Sequence, residues 1–241
     1  MIFENGTIIT MNAERSIIRD GAIAVAEGRI VGVGKRQDVR DAFPHDTERR
    51  DMGGKVVIPG LVNTHVHLTQ ALIRGTVDDL GLIDFLVKGV WVLMGNYDPD
   101  DARVSTELCI LEMLKSGTTA FVESMVVLHY GFDGIARVVE QSGIRAALSK
   151  TVMDTASYVE GHPMHQGMVE DPTDAFQEAL DMHAKWDGGA DGRIQVWFGP
   201  RPPGGCSADL YREMMTAANE RGMGVTVHLA EVEEDVAYIR D

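Results

Sequence analysis

Short apolar runs separated by glycine-centred turns fill the first quarter of the chain. Thr7-Ile8-Ile9-Thr10, Ala22-Ile23-Ala24-Val25 and Arg29-Ile30-Val31-Gly32-Val33 lie between Asn5-Gly6, Asp20-Gly21, Glu27-Gly28 and Gly32-x-Gly34. That rhythm predicts short β-strands, with Glu27-Gly28-Arg29 as a hairpin turn. Residues 1–57 therefore read as a small β module, not the start of a βα repeat. From Leu61 the pattern changes to apolar runs alternating with longer amphipathic stretches. It predicts strands over 61–66, 118–122, 144–148, 193–198 and 225–228. Between them it predicts helices over 98–116, 131–141, 172–186 and 208–221. Asp98 is the expected N-cap of the first, with Pro99 inside it and Gly117 after it. A loop rich in Gly, His and Met covers 160–169. Repeated βα units imply a parallel sheet, doubly wound or closed as a barrel.

Five such strands follow residue 60, whereas an eight-stranded barrel takes about 250 residues. The final residues, Ala237-Tyr238-Ile239-Arg240-Asp241, read as the inside of a helix with no visible stop. The expectation is a 58–241 segment that forms an incomplete (β/α) barrel. It is either a fragment or is completed by a C-terminal segment or a second copy, because a long apolar parallel edge is normally covered.

Composition adds exclusions. The 241 residues are 44% hydrophobic and 24% charged, as in a soluble globular protein. A net charge of −15 argues against binding nucleic acid or an anionic membrane, which needs basic patches. The N-terminus lacks the features of a signal peptide, and the most apolar stretch, 80–94, is too short for a bilayer and carries Asp84 and Lys88. Cys109 and Cys206 form no disulfide framework and read as reduced thiols of a cytoplasmic protein.

The chemistry sits at predicted strand ends. In Asn63-Thr64-His65-Val66-His67, the two histidines point to the same side of an extended chain, because side chains alternate with a period of two. Two such imidazoles can grip one divalent metal. A lone H-x-H is equally a surface histidine beside a core one. The second piece is Val227-His228-Leu229-Ala230-Glu231. In a parallel barrel, C-terminal strand ends converge, so His228 can join His65 and His67. Glu231, three residues on, is placed to take a proton from an activated water and deliver it to a leaving group. Gln70, just past the metal strand, and Trp91 in the apolar 80–94 segment are candidate substrate contacts. Arg74 reads as a loop anchor. Glu123 and Asp154 are strand-end carboxylates that either reach the pocket or cap helices. His129, His162, His165 and His183 lack ligand spacing.

At this point the chain resembles a family. The run from Val57 through Ile58-Pro59-Gly60-Leu61-Val62 to His67 is similar to the strand-one signature of the amidohydrolase superfamily. It is closest in pattern to the cytosine-deaminase-like branch, with its S-adenosylhomocysteine and guanine deaminases and triazine chlorohydrolases. Asn5-Gly6-Thr7-Ile8-Ile9-Thr10, Gln70-Ala71-Leu72-Ile73-Arg74-Gly75 and Leu114-Lys115-Ser116-Gly117-Thr118-Thr119 fall in matching order. The resemblance spans essentially the whole sequence, as the N-terminal part of such a protein. It implies an α/β fold: a TIM-like (β/α)₈ metal-dependent hydrolase barrel, about five units of it here, with a small β-sandwich built from both chain ends. It implies one divalent metal, Zn²⁺ ahead of Fe²⁺, on His65, His67, His228 and a strand-eight aspartate, with Glu231 shuttling protons. A further histidine on strand six would hold water or substrate. Neither that histidine nor the aspartate lies within these residues.

The implied reaction is hydrolytic removal of an amino group from a small N-heterocycle. Hydrolytic dechlorination and a truncated, non-catalytic barrel that binds a partner stand as alternatives. One departure bears on substrate. Where many relatives carry a Pro-His-Ala-Pro loop, this chain has Gly199-Pro200-Arg201-Pro202-Pro203. The fixed planar cation of Arg201 suits a carbonyl-rich or anionic group.

Overall fold

Glu27 and Gly28 both take positive φ, 50° and 71°, the two-residue turn whose twist matches a hairpin. It joins β2 (Ile17–Ala26) to β3 (Arg29–Lys35), with Ala26 opposite Arg29. The structure, a computed structural model, describes residues 1–159 and 162–240. The side chains of residues 157–162, 234, 235 and 238 are outside that description. The chain divides into two compact units, Met1–Gly60 and Leu61–Asp241.

In the first unit β1 (Ile2–Ile9) pairs antiparallel with β2, while β4 (Arg49–Asp51) and β5 (Val56–Val57) pair in parallel with successive halves of β1. The result is one five-stranded sheet. Helix α1 (Arg36–Ala42), which the turn-rich pattern did not suggest, buries Val39 against Ile2, Ala22 and Ala24.

The second unit begins with β6 (Leu61–Val66). A helical stretch follows, made of α2 (Leu82–Phe85), a π-type turn over Leu86–Val90, and α3 (Trp91–Met94). Then come α4 (Pro99–Lys115), β7 (Thr118–Val126), α5 (Phe132–Ser142) and β8 (Arg145–Val152). A small hairpin of β9 (Ser157–Val159) and β10 (His162–Pro163) precedes α6 (Pro172–Trp186), the short α7 (Gly189–Gly192) and β11 (Ile194–Pro200). Helices α8 (Ala208–Arg221) and α9 (Glu233–Arg240) close the unit. The four long strands form a parallel sheet in the order β11-β8-β7-β6. Their buried apolar side chains, among them Phe121, Leu148, Val196 and Phe198, pack with those of α4, α5 and α8 in one core. Among the described residues no helix is long and apolar enough to cross a membrane.

The helix boundaries follow the capping residues. Asp98 accepts from the backbone N–H groups of Asp100 and Asp101, and the Asp101 side chain answers on the Asp98 N–H. Asp171 and Ser207 cap α6 and α8. The expected strand over 225–228 is the exception. Phe198 N–H donates to Gly224 and Thr226 N–H to Phe198, both at 3.0 Å, and Val225 forms a single parallel bridge. The next parallel hydrogen bond would need an N–H from Pro200, which has none. Pairing therefore stops at one bridge, and His228 stands on an irregular segment beyond it. The described sheet has four strands and this bridge, not five full strands.

Candidate metal centre and substrate cleft

His65 lies within β6 and His67 just beyond it, still extended at φ −112°, ψ 93°. The period of two therefore carries through, and both rings stand on one side with centroids 5.0 Å apart. His228, 161 residues further along, comes back to meet them. Its Nε2 lies 3.1 Å from His67 Nε2. One ring nitrogen from each of the three histidines lies within 4.8 Å of the others.

Two of these imidazoles, His67 and His228, are held neutral. Burial, then the neighbouring rings, push His67 down to about 3, and burial and His65 push His228 down to about 4. A neutral ring keeps a lone pair for a metal, whereas three imidazoliums at this spacing would repel. His67 Nδ1 is buried with no hydrogen-bond partner among the described residues. One N–H···N bond can join His67 and His228, but it leaves the lone pair of the donor ring's other nitrogen, and the His65 ring beside it, to be satisfied otherwise. A divalent cation accepts a lone pair from each ring, and imidazole is its usual ligand, so these residues fit such an ion.

The trio lines a cleft of about 200 Å³ at the C-terminal ends of the parallel strands, with Gln70, Trp91, Arg201 and Glu231 on its walls. All seven residues singled out from sequence thus border one space. Trp91 is 2% exposed, and Leu82, Phe85 and Leu86 line the same cleft. Leu82, Phe85 and Leu86 sit at i, i+3 and i+4. The π-type turn after them shifts the face by about one residue, which returns Trp91 to it. Glu231 is an exposed cleft residue, on the loop that precedes α9.

Arg201 is the anomaly of the site. It is 5% exposed, and burial lowers its pKa. Its Nη1 lies 2.6 Å from Met125 Sδ, while Nε and Nη2 have no hydrogen-bond partner among the described residues. Each unpaired buried donor costs about 1–3 kcal/mol, which an oxygen acceptor in the cleft would relieve.

The other candidates do structural work. Arg74 makes a two-pronged pair with Glu112 at 2.8 and 2.9 Å. Asp154 accepts from Ser207 N–H at the start of α8, outside the cleft. His129 and His183 lie against backbone carbonyls of Met94 and Val196, and His165 accepts from Gly167 N–H. The His162 side chain, and residues Glu160 and Gly161 that open the predicted loop, lie outside the described residues. Cys206 is buried with its thiol pushed up to about 12 by burial, and Cys109 is pushed up to about 11. Ser124 and Met125 border the cleft without having been singled out. They are sequence neighbours, and the pairing of β7 with β8 slips between Glu123 and Val126. A period-two reading through this bulge assigns one of them to the wrong side.

Imidazoles from distant strand ends, gathered above a parallel sheet, are the arrangement of metal-centred α/β barrels. The chain belongs to the amidohydrolase family, whose sequence model matches residues 56–241. It is 33% identical over 240 residues to a 5-methylthioadenosine/S-adenosylhomocysteine deaminase of Pelotomaculum thermopropionicum, covering 100% of this chain and 51% of that protein. It superposes on an adenosine deaminase from Xanthomonas campestris with bound zinc, with a TM-score of 0.79 and 27% identity over 98% of this chain and 50% of that one. An atrazine chlorohydrolase from Arthrobacter aurescens complexed with zinc shares the fold, with a TM-score of 0.84 at 21% identity over 98% of this chain and 54% of that one. The chain spans about half the length of the curated relatives it matches.

Proposed function

We propose that this protein is the hydrolase that its cleft suggests: a metal-dependent deaminase of a small N-heterocycle. The observation that carries the reading is the convergence of His65, His67 and His228, with ring nitrogens within 4.8 Å of one another. These three would hold one divalent ion, Zn²⁺ ahead of Fe²⁺, in line with the zinc named for two structural relatives. Such an ion supplies Lewis acidity that lowers the pKa of a water to near neutrality. Glu231 would take the proton of the attacking water and pass it to a ring nitrogen, then to the departing amine. Water adds at the ring carbon, the C–N bond breaks, and ammonia leaves. Trp91 and Phe85 would pack against the flat ring, with Gln70 and Arg201 reading its polar edge. The two unpartnered nitrogens of Arg201 favour a ring that bears a carbonyl or an anionic substituent.

The deaminase named for the 33% identical relative supports loss of an amino group over loss of chloride. In the whole protein, further strands would join the sheet at β6 and beyond Val225 to close a barrel, and the sheet of residues 1–60 would form part of a β-sandwich. The substrate is a small soluble heterocycle, not nucleic acid or membrane. The test is a panel assay of the whole protein loaded with Zn²⁺ or Fe²⁺, reading ammonia and chloride from purines, pyrimidines, pterins and triazines. Ammonia from at least one ring class is the expected result. Release of neither product from any of them would overturn the proposal.

A further inference from the structure

Two adjacent residues of β7 reach the histidine pair from opposite sides. Ser124 Oγ is 3.0 Å from His65 Nδ1. The Glu123 carboxylate accepts from Leu68 N–H at 2.6 Å, and Leu68 directly follows His67. We propose that Glu123 and Ser124 are the positioning residues of the metal centre, each fixing one histidine of the H-x-H pair. The inference rests on the reading of His65, His67 and His228 as a metal site.

The strand period explains how one dipeptide does both. Neighbouring side chains leave a strand on opposite faces. Ser124 therefore borders the cleft while Glu123 is fully buried behind it. Nδ1–H of His65 donating to the Ser124 hydroxyl selects the tautomer whose Nε2 carries the lone pair, and it sets the plane of the ring. The Glu123 bond acts one step further back. The Leu68 N–H belongs to the peptide unit that starts at the His67 carbonyl, so holding it holds the direction in which His67 leaves the strand. The next peptide unit is clamped as well, where the Ser105 hydroxyl donates to Leu68 C=O at 2.9 Å.

Both oxygens of Glu123 are engaged, Oε2 by Leu68 N–H and Oε1 by Met125 N–H at 3.0 Å. A glutamine has the same shape but must turn its NH₂ toward one of two donors. A buried carboxylate that served packing would not need two acceptor oxygens aimed at two backbone amides beside the cleft. Neither residue was assigned this role from spacing: Ser124 belongs to no ligand motif, and Glu123 reads as a strand-end carboxylate that either reaches the pocket or caps a helix.

The test is metal affinity, measured on the whole protein by competition with a chromophoric chelator, using Zn²⁺ and Co²⁺. Loss of an outer hydrogen bond of this kind weakens metal binding about 10- to 100-fold. S124A and E123Q are each expected to show a loss of that size. S124T, which keeps the hydroxyl, is expected to stay within about threefold of wild type. The Co²⁺ absorption bands of S124A should shift, since the ring of His65 turns, a change that mere loss of stability would not produce. If E123Q does not fold, the S124A and S124T pair still decides. Wild-type affinity and unchanged Co²⁺ bands in S124A would overturn this inference and leave the metal site standing. A wild-type protein that binds neither ion overturns both.

Discussion

At the residue scale the site is a problem of unsatisfied polar atoms. Three imidazoles share a small volume, with His67 held neutral by burial and the neighbouring rings and His228 by burial and His65. Arg201 brings two buried donors that no described residue accepts. The H-x-H pair was legible in the sequence because a period of two is a geometric necessity in an extended chain. Glu231 was legible only through its spacing from His228. The burial of Arg201 was not, since arginines are rarely this enclosed. An oxygen-bearing ring that fills the cleft would supply the missing acceptor. R201Q should therefore lower kcat/KM for a ring with a carbonyl about 10- to 100-fold, the effect of stranding a buried partner. Metal content should not change. Steady-state kinetics on a matched pair of rings, with and without the oxygen, checks this; equal losses on both would show that Arg201 acts on the fold and not on the substrate.

At the element scale, legibility followed capping chemistry. Helix α6 begins at Pro172 behind Asp171, and α8 runs from Ala208 behind Ser207 to Arg221, with Gly222 after it at φ +69°. Such residues start and stop helices through local hydrogen bonds and local backbone geometry, so a local reading can find them. Pairing is not local. The segment after Gly224 has a strand's composition, but the proline that ends β11 withholds the donor its ladder needs. The stretch from Leu82 to Met94 is mostly apolar, broken by Asp84 and Lys88, and Phe85 and Trp91 read only as near-helical in spacing. Its wider π-type turn is what brings Trp91 to the cleft.

A second non-local device is the buried lysine of β8. Lys150 is fully buried, with Nζ 2.5 Å from Glu170 and 3.4 Å from Glu178 of α6. Glu170 also accepts from Leu128 N–H. K150M removes the cation and leaves the buried Glu170 carboxylate, with Glu178 beside it, without that partner. It should destabilise the fold by about 3–5 kcal/mol, read as a lower midpoint in urea unfolding. A K150M/E170Q double change should recover part of that loss. An unchanged midpoint in K150M would mean that water reaches these carboxylates.

At the scale of the whole molecule, the parallel sheet is what makes chemistry from separate stretches meet. His67 and His228 are 161 residues apart yet 3.1 Å distant, because successive β-strands run the same way and end at the same level. The α/β alternation that builds this frame was visible in the apolar pattern, and the family resemblance, which ran through essentially the whole sequence, is met by a family model over residues 56–241. The outer strand β6 keeps Leu61 and Val62 more than half exposed, at 52% and 62%, where a paired central strand would bury them. The central claim is that His65, His67 and His228 form one metal site across these distant segments. Elemental analysis of the purified whole protein beside H67A and H228A tests it most directly. About one divalent ion per chain in the wild type, lost in each variant, is the result the account predicts. A wild type without metal, or full metal content in either variant, would contradict it.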